Sequence, residues 1–281
     1  MKPFKWFAAG VSSKTSWEWM ELLIVPLFLA LSAFYLENRV DRRQEIIAEE
    51  RYKQEQQIAD EQSKQETLIS YFSQMKELLL DRQLRKAEEN SEVRSVARAT
   101  TTTSIRALDS ERNILLLNFL KESNLIYSLN EIKRQPKSAE FSFLSGIDLS
   151  GANLEAAELN SINLEGTDLS GANLNSAEMT RVNLRSADLS GADLRNVNLN
   201  GADLSSAILK DADLSFASLR TANISNADFD GAKLHRTDLW QSRDMREAQI
   251  RAAVLCDVNV PPNIGTDIDE NRDCEEVRTS F

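Results

Sequence analysis

The chain has 281 residues, of which 33 are Lys or Arg and 44 are Asp or Glu, a formal net charge of −11, and 42% are hydrophobic. That apolar content excludes a wholly disordered chain, and the acidic balance excludes a generic nucleic-acid binder, which carries a basic stripe. One His and two Cys exclude a disulfide-dense scaffold and most multi-ligand zinc sites.

Residues 1–16 form an N-terminal tail carrying Lys2, Lys5 and Lys14. Leu22 to Leu36 (LLIVPLFLALSAFYL) is then almost unbroken apolar. Those residues alone make a helix of about 22 Å, short of the ~30 Å hydrocarbon core; extension back to Trp17 reaches about 30 Å. Trp17 and Trp19 then lie near one interface and Tyr35 near the other, with Glu18 and Glu21 among the headgroups. Pro26 costs one helical hydrogen bond. We expect an uncleaved single-pass transmembrane helix over 17–36. A cleaved signal peptide fits the three lysines. It does not fit Glu18 and Glu21, nor Leu31 where a small residue should precede Ser32-Ala33. A buried core helix is the third alternative.

Residues 37–66 contain neither Gly nor Pro and are rich in Glu, Gln, Arg and Lys, so they predict a charged helical stalk. Val40, Ile46, Ile47, Tyr52 and Ile58 are sparse, and Gln54 breaks the heptad that Val40 and Ile47 begin. A solvated spacer is expected; a weakly self-associating helix, and with it a homo-oligomer, is the alternative. Residues 67–134 predict an amphipathic helical region. Leu68, Phe72, Met75 and Leu79 follow the spacing of a buried helix face. Val93, Val96 and Ala97 begin a second stretch, and Leu108, Leu115, Phe119 and Leu120 mark a third. Gln135-Pro136-Lys137-Ser138 reads as a linker.

Beyond residue 140 the period becomes five. Every fifth residue from Leu149 to Leu239 is large and apolar, nineteen places in all. Two residues before each, Ala occurs thirteen times, and the residue between is Asp or Asn in fourteen. In an extended segment, residues two apart share a face, so the small and large residues both point inward. Five is odd, so strict alternation cannot pass from one repeat to the next and the chain must turn within each. Asp, Asn, Ser and Gly stand where turns need them, and a helical period of 3.6 does not fit. The result is a β-solenoid.

This A(D/N)LXX pattern resembles the pentapeptide-repeat family over roughly residues 142–240. The resemblance implies a right-handed quadrilateral β-helix with four repeats per square coil, here over residues 141–240 and about five coils. At ~4.8 Å between stacked strands that is about 24 Å. Residues 241–281 are expected to form a C-terminal cap and tail, with a short helix in REAQIRAAVL (246–255) closing the open edge. SWEWMELLIVPLFLALSAF, YFSQMKELLLDRQLR and RALDSERNILLLNFLKESNLI resemble the membrane-anchored pentapeptide-repeat proteins common in cyanobacteria, a resemblance that implies no established activity. The whole is therefore an α+β chain: transmembrane helix, helical region, β-helix, helical cap.

No Walker loop, GxGxxG or HExxH occurs. The spacing of Asp and Glu is set by the repeat and carries no catalytic information. His235 follows Leu234 at an outward position and reads as a surface residue. No catalytic, cofactor-binding or metal-ligating residue is expected, and no enzyme. Cys256 and Cys274 either form a structural disulfide or stand as two thiols. The expected function is a membrane-anchored structural or protein-interaction module with partners on the solenoid wall and no direct nucleic-acid contact. The alternative is an acidic, DNA-mimic-like solenoid that binds a topoisomerase, as some soluble members of the resembled family do. Residues 144–239 hold fourteen Asp+Glu and seven Lys+Arg, with Arg181, Arg185, Arg195 and Arg220 interspersed. Duplex DNA carries one charge per ~1.7 Å, about fourteen over a rod of about 24 Å, twice the net charge here. Arg39, Arg42, Arg43, Arg51 and Lys53 after the span slightly outnumber Lys2, Lys5 and Lys14 before it, which leans the body toward the cytoplasm. In that compartment the cysteines would be reduced; an exported body could join them.

Overall fold

A computed structural model of the chain describes residues 16–88, 90–126, 143–261 and 273–274, with the side chains of 16–24, 41 and 247 outside the description. The expected N-terminal tail, the linker at 135–138 and most of the C-terminal tail lie outside the described residues. The chain divides into two compact units, Met1–Gln62 and Ser63–Phe281.

The expected span, stalk and first amphipathic helix are one uninterrupted helix, α1 (Ser16–Leu80), with Pro26 inside it. The absence of Gly and Pro after Pro26 explains the continuity: nothing in 27–80 breaks the i→i−4 ladder. Among the described residues no helix is long and apolar enough to cross a membrane. The transmembrane helix expected over 17–36 is therefore not recovered as such, and the side chains of its first eight residues, 17–24, lie outside the description. Within the first unit, Val25, Leu27, Phe28, Leu29, Leu31, Phe34, Tyr35 and Leu36 are all exposed, as are Val40, Ile46, Ile47, Tyr52 and Ile58.

In the second unit the last turns of α1 pack with α2 (Glu92–Ala107) and α3 (Ser110–Glu122). Ser91 caps α2 by accepting from the Arg94 N–H, and Asp109 caps α3 by accepting from the Arg112 N–H. The buried face of α1 is rotated from the expected one. Tyr71, Met75 and Leu78 are fully enclosed, whereas Leu68, Phe72 and Leu79 are only partly covered. Tyr71 turns inward because its hydroxyl finds Thr101 Oγ1 at 3.1 Å, so burial leaves no polar atom unsatisfied. Ala97, Leu108 and Leu120 are buried as expected, but Val96 and Leu115 are exposed.

From Asp148 onward the chain coils with a period of 20 residues, seen in the parallel bridges Asp148↔Asp168, Asp168↔Asp188 and Asn173↔Asp193. Four five-residue walls make each coil. The inward ladders are complete: Leu169, Leu189 and Leu209 stack at 0% exposure, with Ala187 equally enclosed beside Leu189 and Ala202 on another wall. The period of five has a local cause at each corner. The residue two after each inward leucine takes a left-handed backbone, as at Gly171, Ser176, Arg181, Ser186 and Gly191. The Asp or Asn before the leucine accepts a hydrogen bond from the N–H two residues on, as in Ser150 N–H to Asp148 Oδ1 and Ser190 N–H to Asp188 Oδ1, both 2.9 Å. Thr167 and Thr237, which replace the small inward Ala, are fully buried and donate to the Leu144 and Leu214 carbonyls at 2.8 Å.

Both ends of the stack are covered. At the start, α2 and α3 reach the first coil through Arg106 to Asp148 (2.8 Å), Asn113 Nδ2 to the Asn153 carbonyl (2.8 Å) and Arg98 to the Ser145 carbonyl. At the far end the repeat geometry continues past Leu239: Arg243 still pairs with Asn223. A short helix α4 (Glu247–Arg251) then interrupts the wall, within the segment 246–255 where a short helix was expected. The chain re-enters the stack as β2 (Val254–Cys256), parallel to β1 (Lys233–His235), with Lys233 opposite Val254. The pairing offset has grown from 20 to 21, and stacking runs on to Asn259 opposite Asp238. Ala253, Leu255 and Val258 are buried, so AVLCD and the following VNV behave as further repeats.

Candidate functional site

Outward positions on the walls carry the groups available to a partner. Several wall charges pair within a repeat or across adjacent coils. Arg195 donates from Nε to Asp193 Oδ1 at 2.8 Å and also from Nη2 to Oδ2; Lys210 Nζ lies 3.4 Å from Asp228. The Arg195 hydrogen bonds hold the Asp193 carboxyl below the ordinary carboxylate range, and Asp193 in turn raises the guanidinium. Asp148 is lowered first by the Ser150 hydroxyl and N–H, and then by Arg106. At the helical end, burial lowers the Lys121 ammonium and raises the Tyr71 phenol. Hydrogen bonds account for the shifts of Asp193, Arg195 and Asp148, and desolvation for those of Lys121 and Tyr71, which Glu158 and Thr101 partly oppose.

One wall differs in character. Residues 217–221 and 237–241 stack on the same side of successive coils, beneath Asn259 of the last one, and an aromatic residue stands near each end of that side. Phe216 is 46% exposed where the wall begins, and Trp240 is 36% exposed where it ends. Among the described residues of 143–261 the only other exposed large apolar side chain is Ile208, on another wall. Between the rings lie Arg220 and Asp238, 3.4 Å apart. The backbone there is held firmly: the Trp240 N–H donates to Asp238 Oδ1 at 3.0 Å and the Arg220 N–H to Asn200 Oδ1 at 2.9 Å. Arg236 lies over the Phe216 ring, 5.9 Å from its centre. Exposed aromatics and arginines on a fixed backbone are the residue types that anchor protein interfaces. The five-residue period hid this surface, because the outward positions are the ones it leaves variable.

His235 stands at the corner next to this wall, with the Phe216 ring edge-on to it at 5.1 Å and 82°. The outward placement expected for it holds only in part, since it is half-buried. Cys256 is its register partner across β1 and β2. Cys256 and Cys274 form a disulfide, so the two reduced thiols expected of a cytoplasmic body are not what the structure holds. No metal ligand was expected, yet His235, Cys256 and Asp257 place one ligand atom each within 4.8 Å of one another.

The Pentapeptide repeats family model matches in eight copies over residues 147–185, 187–226 and 209–241. Among curated proteins none matches the chain. Among solved structures, a pentapeptide repeat protein from the Arabidopsis thaliana thylakoid lumen shares 27% identity over 43% of this chain and 79% of that one, with a TM-score of 0.36. Rfr23, a pentapeptide repeat protein from the cyanobacterium Cyanothece, shares 27% over 43% and 64%, with a TM-score of 0.21. One from Nostoc shares 26% over 50% and 91%, with a TM-score of 0.19. The matched residues are those that carry the twin inward ladders, so residues 147–241 of the chain are pentapeptide repeats coiled as a quadrilateral β-helix.

Proposed function

We propose that the protein is a membrane-tethered, non-catalytic interaction module that binds a protein partner on the wall between Phe216 and Trp240. The observation that carries the reading is this pair of exposed rings flanking Arg220 on an otherwise polar surface. A soluble rod gains nothing from exposing them, whereas a partner that covers them gains apolar area and a charged hydrogen-bond donor. For the test, the full chain is extracted from its native membranes, cross-linked and purified. A protein captured in stoichiometric amount by the wild type should be lost with the triple change Phe216→Ala, Arg220→Ala, Trp240→Ala. Truncated anchors of this kind typically cost more than ~1 kcal/mol each. Equal capture by wild type and triple variant would overturn the assignment of the wall.

Eight large apolar side chains exposed between residues 25 and 36 support the tether, because a bilayer covers such a patch and water does not. The disulfide supports a body on the oxidising side, since persistent disulfides are rare in reducing cytosol. The Lys and Arg counts flanking the span differ too little to oppose it. In intact cells, a membrane-impermeant maleimide should label Cys256 and Cys274 only after an impermeant phosphine reductant is added. Labelling that needs lysis but no reductant would return the body to the cytoplasm. DNA mimicry is the weaker reading: Arg195, Lys210 and Arg220 each pair with a wall carboxylate, so the acidic field is broken along the rod. Topoisomerase inhibition by residues 138–281 would reverse that order.

A further inference from the structure

The last corner of the stack gathers side chains from three chain segments. His235 in β1 lies opposite Cys256 in β2, and Asp257 follows directly; their ligand atoms are mutually within 4.8 Å. Cys274 arrives from the returning tail. That tail is docked by the Asp273 N–H to the Leu255 carbonyl and by the Leu255 N–H to Asp273 Oδ2, both 2.9 Å. The disulfide fixes Cys274 beside Cys256. Opening that bond leaves two thiols, one imidazole and one carboxylate at one corner.

We propose that the reduced protein binds a divalent cation of the zinc class here, with Cys256, Cys274, His235 and Asp257 as its four ligands. The set has the number and softness that tetrahedral zinc takes, and one histidine suffices because two sulfurs and a carboxylate complete it. Ligand bonds of 2.0–2.3 Å place tetrahedral ligand atoms about 3.3–3.8 Å apart, so His235, Cys256 and Asp257 close from 4.8 Å with about 1 Å of side-chain movement, and Cys274, released from the disulfide, swings from beside Cys256 into the fourth position. Burial is graded from enclosed Cys256 to exposed Asp257, which leaves the ion a way in. The supporting contacts are also present. Arg236 Nε lies 3.5 Å from Asp257 Oδ2, orienting the carboxylate and offsetting the single negative charge of a site with two thiolates and one carboxylate. The Phe216 ring packs edge-on against the imidazole.

The redox step balances. A dithiol or phosphine reductant supplies two electrons, the S–S bond breaks, and each sulfur takes a proton. The reductant leaves as its own disulfide or as the phosphine oxide. The cation then displaces both thiol protons to solvent. Disulfide and cation are thus alternative clasps on the same three segments, and the end of the stack is closed in either redox state. The four ligands lie outside the partner wall, and only Phe216 borders both.

The test uses the detergent-extracted full chain, reduced with a phosphine, desalted without oxygen and titrated with Co2+ as a spectroscopic probe. One Co2+ per chain is expected, with the visible bands of a tetrahedral site and a thiolate charge-transfer band, both erased by Zn2+. The oxidised chain should show neither. His235→Gln should weaken Co2+ binding on the order of tenfold or more and change the visible bands. Its oxidised form should keep the wild-type circular dichroism; if it does not, Asp257→Asn takes its place in the comparison. Absence of the thiolate band in the reduced wild type, a stoichiometry other than one, or affinity and bands unchanged in the ligand variant would each overturn the site.

Discussion

Leu189→Ala should lower the unfolding free energy by ~2–5 kcal/mol, and Leu189→Asp should abolish the folded solenoid. Leu189 is 0% exposed in the middle of its ladder, between Leu169 and Leu209, which are equally enclosed. Truncation leaves a cavity that the ladder cannot close, because the backbone is tied to the next coil by the Leu189 N–H to the Ile208 carbonyl at 2.7 Å. An aspartate at the same place has no partner for its charge. Arg195→Ala is the matched control one repeat later. Its side chain is about half exposed and bonded only to Asp193, so its loss should cost under ~1 kcal/mol. Chemical denaturation of the three variants checks the register; equal losses for Leu189→Ala and Arg195→Ala would show that the inward and outward positions have been exchanged.

Asn113→Ala should cost ~1–3 kcal/mol and should act at one end of the molecule. Asn113 is fully buried in α3, and its Nδ2 donates to the Ile105 carbonyl at 2.9 Å and to the Asn153 carbonyl at 2.8 Å. One amide thus satisfies the end of α2 and the open edge of the first coil together. Alanine leaves the buried Ile105 carbonyl and the partly buried Asn153 carbonyl without this donor. Hydrogen exchange should speed at the amides of 149–154, while those of Lys233–His235 at the far end keep their protection, since coils of a solenoid contact only their neighbours. Uniform loss of protection, or none, would show that the helical cap does not seal the stack through this residue.

The repeat was readable because its cause is local. Each five-residue wall contains its own inward pair, its own Asx hydrogen bond and its own left-handed corner, so the code for the coil recurs in the string every five letters. The helices after residue 90 were readable through the spacing of Ala97, Leu108 and Leu120, whereas their caps at Ser91 and Asp109 emerged from the structure. The sequence by itself therefore determined the β-helix, its inward ladders and the helical character of the region before it. The tertiary structure decided what depends on segments far apart in the chain. Tyr71 rather than Leu68 faces inward because Thr101 lies opposite it. AVLCD rejoins the stack after α4 because the coil beneath offers a free edge, at an offset that no period predicts. His235, Cys256 and Asp257 meet because one turn of the solenoid brings position 235 beside 256, and the tail docked on Leu255 joins Cys274 to Cys256. Periodicity encodes a residue's relation to its own wall; which walls become neighbours follows only from closing the coil.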